Sequence, residues 1–243
     1  MTPSLRVAFA RLFSSASTLG LFALLGSSGA LTAADPPLAA RLVSGTQPSV
    51  ELRNTGSRAV TAWSLAVSSP NANGGIHREG HFADVYLSEA TRGLPQAPNH
   101  LDWLRPGESR MVPVDAAPQG ATVEVVAVIF DDATAWGDAK TLKEFFDKRA
   151  AERDELARVV AIFDAVLPAQ KGAAALEELN RRFAADAGAS ESTPHRSARE
   201  AVAAFLQRAK APTPEDTEQA LRTYVDFVRK QRDLAVKHAQ QKG

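Results

Sequence analysis

Three aspartates lie where a hydrophobic run, VVAVIF, gives way to a polar segment: Asp131, Asp132 and Asp138. A phosphoryl-transfer site at the end of a strand would need two carboxylates on one face, and residues two apart in a strand share a face. Asp131 and Asp132 are adjacent, so their side chains point to opposite faces. The spacing therefore disfavours phosphoryl transfer and leaves two other uses for these acids open.

A calcium loop is the second interpretation of this acidic segment. Counted from Asp132 as position 1, the segment has Thr134 at position 3 and Gly137 at position 6, which suits an EF-hand loop. Lys143 stands at position 12, however, where that loop needs a bidentate glutamate. An irregular calcium site at Asp132 and Asp138 remains an alternative.

A corner between a strand and a helix is the interpretation that we favour. Asp138 can cap a helix by accepting backbone N–H bonds, and Thr141 and Glu144 have the spacing of a capping box one turn on. Trp136 would then pack the corner against the strands. On this interpretation the acids organise the fold and carry no chemistry.

A second set of side chains suited to chemistry lies in IHREGHFAD: His77, His81 and Asp84. On a helix the four-residue spacing would place both imidazoles on one face, but the glycines nearby favour a loop. Zinc needs three or four converging ligands, and His100 could add one only if the fold brings it close. Surface histidines are therefore favoured, a metal-dependent binding or hydrolytic site is the alternative, and no other cofactor is predicted.

The first 34 residues have the features of a secretory signal peptide. Arg6 and Arg11 supply a positive start, an apolar stretch covers residues 18–31, and small residues precede a cleavage point after Ala34. A retained N-terminal anchor is the alternative. We expect a bacterial protein that is exported to the periplasm or secreted, with no stable membrane span after cleavage.

The charge distribution divides the remaining chain. Residues 35–138 contain seven arginines, no lysine and twelve acidic residues, whereas residues 139–243 carry a small positive surplus. All three tryptophans lie in the first part. This break predicts two structural regions, and neither net charge is large enough to indicate a nucleic-acid partner. The chain also lacks cysteine, so it has no disulfide framework and no thiolate metal site.

Short alternating strands with turns between them are predicted for residues 35–137. VELRN and RAVTAWSLAV flank the turn sequence NTGS, which indicates a hairpin, and LRPGES places another turn before a later strand. ATVEVVAVIF has apolar residues on both faces, which is typical of a central strand, with Val125, Ala127 and Ile129 on one face. Five to seven such strands in about 100 residues favour a β-sandwich.

VELRNTGSRAVTAWSLAV, LRPGES and FDDATAWGD together resemble segments of uncharacterised bacterial exported proteins. In these proteins an immunoglobulin-like or fibronectin-like module ends in an acidic corner and continues into a helix. The resemblance covers residues 50–149. It implies a fold, an α+β chain with an immunoglobulin-like sandwich over residues 35–137, and it implies no catalytic residue.

About four helices are predicted for residues 138–243. The first runs to about Val166 with an apolar stripe, and a charged turn over residues 149–155 is expected to face solvent. A second helix ends near Gly188, a third covers residues 195–210, and the last starts with Thr213 as N-cap and Pro214 as its first residue. This mostly helical region would extend the sandwich.

These patterns favour an exported, non-enzymatic binding or structural protein. Its expected partner is another protein or an envelope component, and homo-oligomers could form through the long helices. The alternative is the metal-dependent protein described above, which would use either the histidine cluster or the acidic corner.

Overall fold

A computed structural model describes residues 36–45, 47–71, 73–92, 101–114, 120–186, 193–209 and 213–242, with side chains of residues 193–197 excepted. The predicted signal peptide and His100 lie outside these residues. Seven strands come first and four α-helices follow within the described ranges. The prediction of an α+β chain with five to seven strands followed by about four helices is confirmed.

The strands are short and all their pairings are antiparallel. They are β1 (Leu38–Val43), β2 (Ser49–Asn54), β3 (Val60–Pro70), β4 (Ile76–Asp84), β5 (Ser109–Pro113), β6 (Thr122–Phe130) and β7 (Ala135–Gly137). One sheet has the order β1-β2-β5 and the other has the order β4-β3-β6-β7. A 3₁₀ helix, Tyr86–Thr91, follows β4.

One hydrophobic core lies between the two sheets. Leu38, Val50 and Leu52 come from the first sheet, and Trp63 and Val128 come from the second. Trp136 is partly buried and packs against the same core, so the prediction that this tryptophan holds the acidic corner onto the strands is confirmed. Each sheet thus has one face that is shielded by the other.

The predicted hairpin of β2 and β3 is wrong, because the two strands belong to different sheets. The turn between them is held by the buried side chain of Asn54, which accepts a hydrogen bond from the Gly56 N–H and donates to the carbonyl oxygens of Arg58 and Leu104. Local turn chemistry was identified correctly. Whether the next strand pairs or crosses over depends on residues far away in the chain.

Strand β6 lies between β3 and β7, so its prediction as a central strand is confirmed. Its side chains do not alternate regularly, however. The register with β3 shifts between Ser64 and Leu65, and Val125 then packs between the sheets while Ala127 and Ile129 face the helices. The prediction that these three residues share a face is wrong because a bulge adds one residue to the strand.

The helices agree closely with their sequence signals. They are α1 (Ala139–Val166), α2 (Gly172–Asp186), α3 (Thr193–Arg208) and α4 (Pro214–His238). Asp138 caps α1 by accepting a hydrogen bond from the Thr141 N–H, and Thr213 caps α4 by accepting one from the Asp216 N–H. Both predicted N-caps are confirmed. Thr141 also donates its hydroxyl to Asp138.

The helices cover the outer face of the four-stranded sheet. Near the start of α1, Leu142, Phe145 and Phe146 pack on Ala62 and Ile129. Farther along, α1 joins a larger core with the other three helices, and this core also contains Tyr86 and Ala90 from the 3₁₀ helix. The described residues include no helix that is both long enough and apolar enough to cross a membrane.

Gly137 is the tightest point of the turn from β7 into α1. Its φ is +115°, and an added Cβ would overlap the carbonyl oxygen of Val126 and lie 2.8 Å from the Cα of Ala127. Both contacts are with backbone atoms of β6, so no side-chain movement can relieve them. Only glycine fits this position.

We therefore expect Gly137→Ala to lower the free energy of unfolding by at least about 2 kcal/mol, because the substitution adds a clash to the strain of a positive φ. Urea denaturation of the two proteins measures this difference. Gly107→Ala is the matched control, since Gly107 has a φ of +79° and nothing within 4 Å of an added Cβ. Equal losses in the two variants would contradict the clash.

Candidate functional site

Arg149 of α1 lies at the centre of the contact between the sheet and the helices, with no exposed surface. Its Nη2 donates to one carboxylate oxygen of Asp84 at 2.7 Å and its Nε donates to the other at 3.0 Å. Nη2 also lies 3.2 Å from the hydroxyl of Thr61, and Nη1 lies 3.5 Å from the carbonyl oxygen of His238. The guanidinium thus joins α1, β3, β4 and the end of α4.

Aromatic rings enclose the same guanidinium. Its central carbon lies 4.5 Å from the centre of the Tyr86 ring and 5.8 Å from that of Phe146. Such cation–π contacts are strongest where water is excluded. A two-point ion pair combined with ring contacts satisfies a charge that would otherwise be costly to bury.

Tyr86 and Glu152 form a second, partly buried pair beside Arg149. The tyrosine hydroxyl donates to a carboxylate oxygen of Glu152 at 2.8 Å. Burial raises the pKa of Tyr86 far above its usual range, and the nearby charges of Glu152 and Asp84 act in the same direction. Burial also raises the pKa of Glu152. These groups are held by one another, so the arrangement serves to join elements of the fold.

His238, at the end of α4, is fully buried on the other side of Arg149. Its ring centre lies 6.0 Å from those of Tyr86 and Trp103, and neither ring nitrogen has a hydrogen-bond partner among the described residues. Burial, together with the nearby charges of Arg149, Lys237 and Lys242, lowers the pKa of His238 to about 4. The imidazole is therefore neutral over most of the acidic range.

The prediction that residues 149–155 face solvent is wrong, since Arg149 and Glu155 are buried. The spacing of Arg149 from the apolar residues of α1 did indicate that it is buried. Arg149 follows Leu142 by seven residues and Phe145 by four, so it continues the apolar stripe of α1. An arginine within such a stripe indicates a buried partner, and charge alone misled the interpretation.

The acidic corner is a tight turn from β6 into β7, followed directly by α1. Asp132 accepts hydrogen bonds from the backbone N–H and the hydroxyl of Thr134, at 3.0 and 2.6 Å, and pairs with Arg58 at 2.9 Å. Partial burial acts to raise the pKa of Asp132, but the bonds from Thr134 and Arg58 outweigh it and lower that pKa to about 2. Asp132 is thus held by local hydrogen bonds.

Asp138 has a separate role from Asp132. Hydrogen bonds from the Thr141 backbone and hydroxyl lower the pKa of Asp138, as an N-cap position favours. The structure does not bring the acids of the corner into one cluster, because the described residues hold no group of three or more His, Asp or Glu side chains that could bind a metal.

His77, His81 and Asp84 lie on β4, so the expectation of a loop at this segment is wrong. In the register with β3, His77 pairs with Ser69 and His81 with Leu65, which places both imidazoles on one face about 13 Å apart along the strand. Asp84 is on the opposite face, where Arg149 occupies its carboxylate. The structure does not bring these three side chains together.

Strand β4 is also an edge of its sheet. Within the described ranges it pairs with β3 alone, through nine consecutive residue pairs without a shift in register. Two large apolar side chains on it are exposed, Ile76 at 76% and Phe82 at 56%. An edge of this kind offers unpaired backbone groups together with apolar side chains, which are the elements of strand addition.

Comparisons with known proteins add little to this description. No protein-family model and no curated protein matches the chain. A solved structure of a hypothetical protein from Peptoclostridium difficile 630 is similar, with 12% sequence identity and a TM-score of 0.25, over 48% of this chain and 92% of that protein.

Replacement of Arg149 by alanine should lower the free energy of unfolding by about 3–5 kcal/mol, because it leaves the buried carboxylate of Asp84 without a partner. Urea denaturation monitored by tryptophan fluorescence measures the loss. Arg153→Ala is the matched control on the same helix, since among the described residues Arg153 pairs with the exposed Asp154 alone, and it should change stability by less than about 0.5 kcal/mol. Equal losses in the free energy of unfolding would show that Arg149 does not hold the helices to the sheet.

Acid should destabilise the protein through His238. As the pH falls from 6.5 towards 4, the unfolded chain takes up a proton at this imidazole while the folded chain does not, so stability present above pH 6.5 is lost. The shift corresponds to about 3 kcal/mol. Denaturation curves between pH 7.5 and 4 should show this loss in the native chain and a smaller one in His238→Phe. Identical pH dependence in the two proteins would contradict the assignment.

Proposed function

We propose that this protein is exported and acts by binding another protein or an envelope component, without catalysing a reaction. The observation that carries the proposal is the open edge of β4, with Ile76 and Phe82 exposed on a strand that is firmly paired on its other side. Strand addition to such an edge gains main-chain hydrogen bonds, and the exposed side chains give selectivity.

We further propose that the strand region is an immunoglobulin-like module and that the helices are its extension. Two antiparallel sheets of three and four strands with one core between them support this assignment. The buried contacts of Arg149 with Asp84 and Thr61 then hold the helical layer to the module. A partner at β4 would therefore meet one rigid surface.

The predicted partner should be lost when the β4 edge is changed. The tagged full-length chain is crosslinked in its native envelope, and its partners are identified by mass spectrometry. The same spectra give the first residue of the mature chain, which we expect to be Asp35. Phe82→Lys places a charge where a partner would pack and should reduce capture at least tenfold.

Met111→Lys is the matched control for that experiment. Met111 is also an exposed apolar residue, at 51%, but it lies on β5 at the edge of the other sheet. Its variant should capture partners as the native chain does. If Phe82→Lys captured them equally well, the β4 edge would not be the binding surface.

A further inference from the structure

We infer that the partner at the β4 edge is a second copy of this chain, paired antiparallel about a two-fold axis at Gly80. The inference rests on the proposed binding role of β4 and names its occupant. Three observations carry it: the lack of protection at this edge, the charge complementarity of the strand with itself, and the placement of the exposed apolar side chains.

Among the described residues, the β4 edge lacks several of the devices that usually prevent strands from pairing between molecules. Such devices include short length, proline, lysine, bulges and a covering helix or loop. At the other edges, β7 has three residues and leads directly into α1, β5 ends at Pro113, and β1 has six residues. Strand β4 has nine residues without proline or lysine, and its register with β3 is regular.

The charged residues of β4 are already paired, so they do not repel a second strand. Arg78 lies 3.0 Å from Glu124, which is on β6 and therefore away from the open side. Nε2 of His81 lies 3.2 Å from a carboxylate oxygen of Glu79 within the strand. The edge as a whole therefore carries little net charge.

The strand complements itself in one register. With Gly80 opposite the Gly80 of the second copy, each Glu79 lies opposite the second copy's His81, so the pairing of acid and imidazole occurs twice. An axis at Arg78 would set two arginines opposite each other, and an axis at Glu79 would set His77 opposite His81. A slip of the strand by one residue would move every side chain to the other face.

The same register covers the exposed apolar residues. Arg78 comes opposite the second copy's Phe82, so the aliphatic stem of the arginine can pack on the ring while its guanidinium stays paired with Glu124. Ile76 becomes the diagonal neighbour of that phenylalanine, within reach for large side chains. Gly80 on the axis has no side chain, and nothing lies within 4 Å of an added Cβ, so the two backbones can approach freely.

The two-fold axis of an antiparallel pair runs perpendicular to the sheet, so both helical layers would lie on the same face of one continuous sheet. Homo-oligomers were expected to form through the helices. Pairing through β4 would instead place that contact in the strands. The outer surface of α1, α2, α3 and α4 would then lie outside the interface.

Single-cysteine crosslinking tests this register, because the chain contains no cysteine. Opposed residues in an antiparallel pair have Cα atoms about 4.5–5.5 Å apart, which is within the range of a disulfide. Full-length Gly80→Cys should therefore become a disulfide-linked dimer under mild oxidation, at least tenfold faster than Met111→Cys on the edge of the other sheet. Light scattering on the native chain should give twice the monomer mass.

A mixture of Glu79→Cys and His81→Cys checks the register independently, since it should form the mixed dimer in preference to either self-dimer. A monomeric native chain, or a dimer in which Gly80→Cys links no faster than Met111→Cys, would overturn the inference. If that monomer still lost its envelope partner on Phe82→Lys, the proposed binding role of β4 would stand with a different occupant. If Phe82→Lys left both capture and mass unchanged, both proposals would fail.

Discussion

The buried pair of Arg149 and Asp84 is the interaction on which the rest of the structure depends. A guanidinium with no exposed surface requires a partner of opposite charge, and the partner must come from a different element. Asp84 supplies it from the last position of β4, while the guanidinium also lies over the rings of Tyr86 and Phe146. The position of α1 on the sheet is thereby fixed in both rotation and translation. The 3₁₀ helix and the end of α4 then close around the same point, so the helical layer and the sheet behave as one unit.

Local signals in the sequence predicted the elements well and their partners poorly. The N-caps at Asp138 and Thr213 were identified because a cap depends only on the next three residues of the chain. The pairing of β2 with β3 was predicted from an equally good turn, but strand partners are chosen by packing across the whole molecule. The buried position of Arg149 was missed for the same reason: the residue that neutralises it lies 65 positions away. The one local indication that Arg149 is buried was its helical spacing from Leu142 and Phe145.

The candidate site shows the same difference between local signals, which the sequence carries, and long-range pairing, which it does not. His77 and His81 suggest chemistry only if four residues make a helical turn, and a strand of the same sequence separates them beyond the reach of a shared metal. The open edge of β4 has no signature in sequence at all, because it depends on which strands lie beside it. Ile76 and Phe82 look like ordinary core residues until the sheet order is known. The surface that we propose for binding thus lies in the same segment as the candidate metal site.

The junction around Arg149 also constrains when the protein can acquire its structure. It joins Thr61, Asp84, Arg149 and His238, and nearby the N–H of Lys242 donates to the carbonyl oxygen of Ala133. During synthesis the sheet and α1 emerge long before the end of α4, so Tyr86 and Arg149 are not fully enclosed until α4 has been made. Contacts so distant in sequence close slowly. The helical layer can therefore close fully over the sheet only after the end of α4 has been made.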